Sequence, residues 1–219
     1  MICGAIFDID GVLLDSMTIW RDLGSRYLKR HNIQPKDGLD KILFSMSMEQ
    51  GAEYLKNEYC NNADAADILD EIKDMLKEFY YYEVEPKDNA AGLLKFLKEK
   101  EIRIAAATSS PREHVEKALA RTKLLPFIEK IFTTSEIGES KHSPLIYNTA
   151  AAYLGTTPDK TFVFEDSLYA LKTAADSGYC AVGVYDRYGE SDKDGVRTYG
   201  RAYLKNFDDF DIILPYMTN

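Results

Sequence analysis

The stretch Phe7–Ser16 decides the fold and reads Phe-Asp-Ile-Asp-Gly-Val-Leu-Leu-Asp-Ser. Residues 2–7 form a short, continuous apolar run, which is typical of a strand buried on both faces in a parallel sheet. Asp8 and Asp10 follow where that strand ends, and ligands of open α/β sheets bind beyond the carboxyl ends of the strands. Two carboxylates so close together repel each other unless a cation lies between them. The pair therefore indicates a metal site or a nucleophile with its own acid, although Asp-x-Asp-Gly alone also fits a plain turn.

Downstream of residue 88, short apolar runs alternate with amphipathic helical segments. Strands are predicted at residues 102–107, 131–133, 161–164 and 180–185, with a possible edge strand at 202–204. Polar loops are predicted between the third strand and Lys141, and over residues 186–200. Alternating β and α units of this length imply a parallel sheet with right-handed crossovers and helices on both faces. The predicted fold class is a doubly wound α/β sheet with a Rossmann-like core.

An insertion interrupts this pattern directly after the first motif. Residues 16–84 contain helical spacing of apolar residues and no strand-like run. We therefore predict a core of residues 1–15 and 85–219, and an inserted α-helical cap of residues 16–84. Its expected hinges are Asp15–Ser16 and Glu83–Pro86.

Composition limits the classes of partner. The 219 residues carry a formal net charge of −9, which disfavours nucleic acid because binding to phosphate backbones needs clustered Lys and Arg. No apolar run is long enough for a membrane span, and the N-terminus lacks the pattern of a secretion signal. Three scattered cysteines argue against a disulfide framework. We expect a cytoplasmic monomer that binds neither nucleic acid nor membrane.

Four of the predicted loops leave the same edge of the sheet, and each carries polar groups of a different kind. Carboxylates, hydroxyls and an ammonium together suit phosphoryl transfer, which needs in-line attack, a cation and donors that hold the phosphoryl oxygens. The four groups are Asp8 with Asp10, Thr108 with Ser109, Lys141, and Glu165 with Asp166.

The first motif closely resembles the signature of the haloacid dehalogenase-like hydrolases, Asp-x-Asp-Gly-Thr/Val-Leu-x-Asp-Ser. The later motifs fit that family in order and spacing: Thr108–Ser110, the isolated Lys141, and the pair Glu165–Asp166 after a Phe-Val-Phe strand. With a helical cap after the first motif, the chain resembles the branch that includes β-phosphoglucomutase-like phosphatases. The resemblance covers essentially the whole chain and implies hydrolysis of a small phosphorylated metabolite.

The resemblance also implies a role for each matched residue. Asp8 would attack phosphorus and form an aspartyl-phosphate. Asp10 would protonate the leaving oxygen and later deprotonate the attacking water. Thr108 and Lys141 would bind the phosphoryl oxygens, helped by the backbone amide of Ser109.

A magnesium site is the other implication. Mg²⁺ would be held by Asp8, the main-chain carbonyl of Asp10 and Asp166, with Glu165 adjacent or one shell further out. Hard oxygen ligands without a nearby His or Cys select Mg²⁺ over Zn²⁺. Two carboxylates after a buried strand are also costly without a cation.

Structural interpretations compete with these roles. Thr108 also fits a strand-end hydroxyl, and Ser110 fits the N-cap of the following helix. Lys141 fits a surface lysine, and the chain departs from the family's usual Lys-Pro by carrying His142. The later acidic pair fits a helix cap.

Two other functions stay open as alternatives. Sugar-phosphate mutases of this branch carry a His soon after the first motif and an Arg on the next cap segment, where this chain has Trp20 and residues 47–49. Hydrolysis is therefore favoured over mutase chemistry, and Asp10 argues against dehalogenases, which lack the second Asp. A catalytically silent phosphate-binding or receiver-like module is the alternative from another class, but receivers are much shorter and have no cap.

Overall fold

The computed structural model describes residues 1–44, 46–189 and 192–217, and within them six strands form one parallel sheet. The strands are β1 (Gly4–Phe7), β2 (Arg103–Thr108), β3 (Lys130–Thr133), β4 (Thr161–Glu165), β5 (Cys180–Val184) and β6 (Ala202–Leu204). Their order across the sheet is β3-β2-β1-β4-β5-β6. The predicted α/β fold class is confirmed, and the strand that precedes the first motif lies inside the sheet.

The residues between the first motif and the return to the sheet form a separate helical unit, Ser16–Glu83. It contains α1 (Met17–Arg30), α2 (Leu39–Phe44), α3 (Met48–Tyr59) and α4 (Ala65–Glu78), followed by a π-helical turn at Phe79–Glu83. A capping box formed by Ser47 and Gln50 starts α3, and the Asp64 side chain caps α4. These local signals explain why a strand-free segment folds as helices.

The remaining helices belong to the sheet unit, which comprises Met1–Asp15 and the chain from Val84 onward. All but the last, which follows β6, lie in the crossovers between parallel strands. They are α5 (Ala90–Glu99), α6 (Arg112–Arg121), α7 (Thr134–Ile137), α8 (Leu145–Leu154), α9 (Leu168–Asp176), α10 (Lys193–Tyr199) and α11 (Leu214–Met217).

Strand β1 is buried on both faces because its side chains alternate between them. Ile6 lies in a buried cluster with Val163 of β4 and Ile146 of α8. Phe7 points to the opposite face, where its ring stacks on that of Phe164 with centroids 4.1 Å apart. Since Phe7 and Phe164 are register partners, this stack fixes the ends of β1 and β4 side by side.

The two chain segments that join the sheet unit to the helical unit pair with each other. The Asp15 N–H donates to the Glu85 carbonyl, and the Lys87 N–H donates to the Leu13 carbonyl, each at 2.9 Å. Both segments therefore belong to the hydrogen-bonded framework of the sheet unit. The role of the helical unit as a cap stays a prediction.

Two short helices lie in segments that we predicted to be loops. α7 occupies part of the predicted loop before Lys141, and α10 occupies part of the predicted loop at residues 186–200, of which 190 and 191 lie outside the described residues. α7 is only four residues long and is capped by the Thr133 hydroxyl, and α10 carries Gly195, a poor helix former. Segments this short show no helical periodicity, which is why the loop predictions were wrong there. In the part of the chain that the structure describes, no helix combines the length and the apolarity that a bilayer crossing requires.

Replacing Phe164 by alanine should lower the free energy of unfolding by about 3–5 kcal/mol, because a fully buried ring would leave a cavity between β1 and β4. Urea unfolding followed by circular dichroism measures the change. Lys95→Ala, at an exposed position of α5, is the matched control and should shift stability by less than about 0.5 kcal/mol. Equal effects of the two substitutions would contradict the assignment of this stack to the core.

Candidate active site

A tight turn after β1 presents the first two carboxyl groups. The Asp8 N–H donates to the Phe164 carbonyl at 3.0 Å, which extends the pairing of β1 with β4 by one residue. The chain then turns sharply, since the amides of Leu13 and Leu14 both donate to the Ile9 carbonyl at 2.9 Å. Gly11 has a φ of 77°, a conformation that glycine adopts without strain. The turn keeps Asp8 at the strand end and leaves Asp10 half-buried beside it.

Lys141 joins the first motif to the last. Its ammonium donates to Asp8 Oδ1 at 2.5 Å and to Glu165 Oε1 at 2.7 Å, although the side chain is only 3% exposed. The hydroxyl of Tyr147, on α8, donates to the same Glu165 oxygen at 2.7 Å. The lysine is thus a buried link between the ends of β1 and β4, which rules out its interpretation as a surface residue.

Asp8, Glu165 and Asp166 form an acidic cluster. One carboxylate oxygen of each lies within 4.8 Å of the others, and all three residues are buried. Three negative charges against the single positive charge of Lys141 leave an excess that a divalent cation would balance. Glu165 Oε2 is buried and accepts no hydrogen bond from any of the residues that the structure describes, which is unusual for a carboxylate oxygen. A cluster of oxygen donors with one oxygen left unpaired fits a hard cation such as Mg²⁺.

Burial and the excess of carboxylates shift the pKa values of the groups in this site. Burial raises the pKa of Asp8 to about 8 against the opposing charge of Lys141, and Glu165 and Asp10 add to the rise. Burial, together with Asp8 and Glu165, also raises the pKa of Asp166 well above its usual range. Burial disfavours the charge on Lys141, but Asp8 and Glu165 outweigh it and raise the pKa of the ammonium. The lysine therefore stays charged while the carboxylates compete for protons.

The loop after β2 carries the hydroxyl groups. Thr108 is fully buried, and its Oγ1 accepts the Ser110 N–H at 3.0 Å. The Ser110 hydroxyl in turn donates to Asp10 Oδ2 at 2.6 Å. Pro111, not Ser110, is the N-cap residue of α6, so the capping role predicted for Ser110 is wrong. Its side chain orients Asp10 instead, a role that 100 residues of separation hide from sequence reasoning.

The structure thus brings most of the predicted residues into two connected groups. The first group consists of Asp8, Lys141, Glu165 and Asp166. The second consists of Asp10 and the loop that carries Thr108. The side chain of Asp10 is not part of the acidic cluster. Ser109, between Thr108 and Ser110, is exposed.

Sequence reasoning missed three residues around this site. Tyr147 supports Glu165, and its one available signal was that a tyrosine on a buried helix face needs a partner for its hydroxyl. Lys87 and Asp186 form a second buried ion pair, with side chains 17% and 1% exposed. They lie 99 residues apart in the chain, and neither has a local motif that could have predicted the pairing.

Comparison with known families places the chain at the superfamily level. The family described as haloacid dehalogenase-like hydrolase matches residues 5–184. This span includes every site residue predicted from the sequence, and it confirms the predicted family and the hydrolase class.

Individual relatives agree with that assignment. The chain is 27% identical to a validoxylamine A 7'-phosphate phosphatase of Streptomyces hygroscopicus subsp. limoneus, over 82% of this chain and 84% of that protein. It is 24% identical to a phosphorylated carbohydrates phosphatase of Thermotoga maritima, over 79% and 80% of the two chains. A crystal structure of a Thermotoga maritima protein assigned provisionally as a beta-phosphoglucomutase covers 97% of this chain and 98% of its own, with a TM-score of 0.86 and 21% identity. At that identity the structural likeness establishes the fold alone.

In a chelating buffer, the free energy of unfolding should fall as pH rises from about 4 to about 8. The pKa of Asp8 is about 8 in the native protein against 3.8 ordinarily, so the native state holds protons that the unfolded chain has lost. Each such proton contributes a slope of up to about 1.4 kcal/mol per pH unit. Urea unfolding at stepped pH measures it.

Asp8→Asn is the matched control for this pH dependence, because it removes one titrating carboxyl and weakens the repulsion on Asp166. Its stability curve should be shallower over the same range. Parallel curves for the two proteins would show that the acidic cluster does not titrate as described. Excess Mg²⁺ should flatten the curve of the unmodified protein, because a bound cation competes with protons for the same oxygens.

Proposed function

The chain belongs to the haloacid dehalogenase-like hydrolase family, and on that premise we propose that it is a Mg²⁺-dependent phosphatase of small phosphorylated metabolites. The observation that carries the proposal is the buried contact of Lys141 with Asp8 and Glu165 beside the unpaired oxygen of Glu165. Phosphoryl transfer needs a nucleophile, positive charge and a cation site close together. In the proposed arrangement, the carboxylate of Asp8, the ammonium of Lys141 and the acidic cluster supply them at one edge of the sheet.

A sugar-type phosphate ester is the substrate class that we propose. Support comes from the names of two relatives, a phosphatase of validoxylamine A 7'-phosphate and a phosphatase of phosphorylated carbohydrates, each matched over about four fifths of both chains. We assign the choice among such esters to the helical unit, acting as a cap, because the roles that we propose for Asp8, Asp10, Thr108, Lys141 and Asp166 of the sheet unit all concern the ester phosphate or the cation.

Chemistry begins at Asp8 in this proposal. One carboxylate oxygen of Asp8 attacks phosphorus in line with the ester bond, so that a new O–P bond forms as the old P–O bond breaks. Asp10 gives its proton to the departing alcohol oxygen. Water then attacks the aspartyl-phosphate, Asp10 takes a proton from that water, and inorganic phosphate leaves with Asp8 regenerated. The Ser110 hydroxyl, 2.6 Å from Asp10 Oδ2, orients the acid for both proton transfers.

The phosphoryl oxygens need donors and positive charge throughout. Lys141 supplies an ammonium that touches the nucleophile already. The Thr108 hydroxyl and the Ser109 backbone N–H, at the end of β2, are the proposed neutral donors. Thr108 is fully buried, and the bond of its Oγ1 with the Ser110 N–H holds the loop, so these donors cost little reorganisation when charge develops in the transition state.

The cation would be held by oxygen atoms of Asp8, Asp166 and the Asp10 main chain, with Glu165 beside them. Bound there, Mg²⁺ offsets the negative charge that the phosphoryl oxygens carry in the transition state. Lys141 and Tyr147 both donate to Glu165 Oε1. They hold the carboxylate by Oε1, so that Oε2 would be available to the cation.

Hydrolysis is favoured over transfer of phosphate between two positions of one sugar. A mutase needs a cationic group to hold the second phosphate. The start of α3, where such a group is expected, carries instead the capping box of Ser47 and Gln50, with Glu49 accepting the Ser47 hydroxyl at 2.8 Å. Trp20 stands at the other expected position.

With Mg²⁺ present, the purified protein should release inorganic phosphate from members of a sugar-phosphate panel, and Asp8→Asn should abolish the release because it removes the nucleophile. A molybdate assay measures the product, and circular dichroism checks that the variant is folded. A chelator should stop the reaction, and Mg²⁺ should restore it. A folded variant that turns over at the normal rate, or a protein that binds phosphate esters without hydrolysing them, would refute the proposal.

Asp10→Asn should lower kcat by roughly 10²–10⁴, the usual contribution of a general acid or base. With a nitrophenyl phosphate, whose leaving group needs little protonation, the loss in the first step should be smaller than with a sugar phosphate. The values of kcat/KM on both substrates test this difference, because they exclude the second step, in which Asp10 acts as the base on either substrate. Equal losses on both would assign Asp10 to a role other than proton transfer to the leaving group.

A further inference from the structure

A second buried ion pair lies next to the acidic cluster and has no part in the chemistry above. The ammonium of Lys87 donates to Asp186 Oδ2 and, at 3.3 Å, to the Tyr185 carbonyl. The side chain of Asp186 is 1% exposed. Burying a carboxylate is costly unless it is paired and fully hydrogen-bonded, so this arrangement needs a reason other than stability.

Asp186 uses its second oxygen to shape a turn. Oδ1 accepts the backbone N–H groups of Tyr188 and Gly189, both at 2.7 Å. The Asp186 carboxylate therefore holds residues 186–189 with one oxygen and is held by Lys87 through the other. Removing the lysine would leave the carboxylate buried without its counter-charge, and the turn would lose its fixed position.

The turn that Asp186 holds lies against Asp166. A Cβ added to Gly189 would come within 2.5 Å of Asp166 Oδ2, closer than side-chain carbons approach oxygen, so the glycine backbone packs directly on that carboxylate. The position of the turn thus sets the space around one carboxylate of the acidic cluster.

Lys87 itself belongs to the segment that returns from the helical unit. Its backbone N–H donates to the Leu13 carbonyl at 2.9 Å, within the paired segments that join the two units. Lys87 therefore binds the segment that joins the two units through its backbone, and through its side chain it binds the turn 186–189 that packs on Asp166.

We propose that Lys87 is a positioning residue for the cation site, acting through Asp186 and the turn 186–189 on the carboxylate of Asp166. This inference rests on the proposed function, because it takes the acidic cluster to be the place where a divalent cation binds. It adds a residue of the inter-unit connection to the groups on which cation affinity depends.

Binding of Mn²⁺ alone, without substrate, tests the inference. Mn²⁺ takes the same oxygen ligands as Mg²⁺, and its free concentration can be followed by electron paramagnetic resonance. Lys87→Met should raise the dissociation constant for Mn²⁺ by roughly 10- to 100-fold, the usual effect of removing a group that supports a metal ligand. Lys205→Met, an exposed lysine that lines the same surface groove as Lys87, is the matched control for loss of one positive charge and should change the constant by less than about twofold.

Further variants separate positioning from plain stabilisation. Asp186→Asn should weaken Mn²⁺ binding as well, and the double variant should be no worse than the poorer single one, because both act through one turn. Lys87→Arg keeps the charge and should recover part of the affinity. Thermal unfolding in chelator shows whether each variant is folded. If Lys87→Met does not fold, the Mn²⁺ affinities of Asp186→Asn and Lys87→Arg test the inference instead.

The outcomes distinguish this inference from the function on which it rests. If the unmodified protein binds no Mn²⁺, the proposed cation site fails and the inference fails with it. If the unmodified protein binds Mn²⁺ and a folded Lys87→Met variant binds it equally well, the inference alone is overturned. A lower melting temperature with unchanged Mn²⁺ affinity also overturns it, because the ion pair is then only structural.

Discussion

The buried ammonium of Lys141 is the interaction on which the active site depends. It contacts Asp8 across 133 residues of sequence and Glu165 across 24, at a position only 3% exposed. Without that positive charge, carboxylates packed this closely in a low-dielectric interior would repel each other or take up protons. One ammonium balances only part of the charge that Asp8, Glu165 and Asp166 carry when ionised, and this remainder is the basis of the cation site that we propose.

The parallel sheet explains how residues so distant in sequence meet. Strands β1, β2 and β4 are neighbours, and all run in the same direction, so the residues that follow them emerge at one edge. The stacked rings of Phe7 and Phe164 fix the register of β1 against β4. Asp8 and Glu165 each come one residue later, and a slip of either strand by one position would turn that strand's carboxylate to the other face.

Side chains from outside the strand ends also hold the residues of the site in place. Tyr147 holds Glu165 from a helix, Ser110 holds Asp10 from the neighbouring loop, and Lys87 reaches the turn behind Asp166 from the connection to the helical unit. Each of these groups contacts a residue assigned to the chemistry or its support. Together they leave few degrees of freedom to the side chains for which we propose a role in phosphoryl transfer, which is the condition for a preorganised site.

The sequence by itself determined the fold class, the place of the helical unit and the main candidates for the site, because buried strands and long amphipathic helices carry periodic signals and the polar groups follow the strands directly. Only the tertiary structure decided what Ser110 and Tyr147 touch, that α7 and α10 are helices, and that Lys87 pairs with Asp186. The reason is physical. A side-chain hydrogen bond between residues up to 100 positions apart depends on where the packed backbone places both partners, and no local pattern of residues encodes that distance.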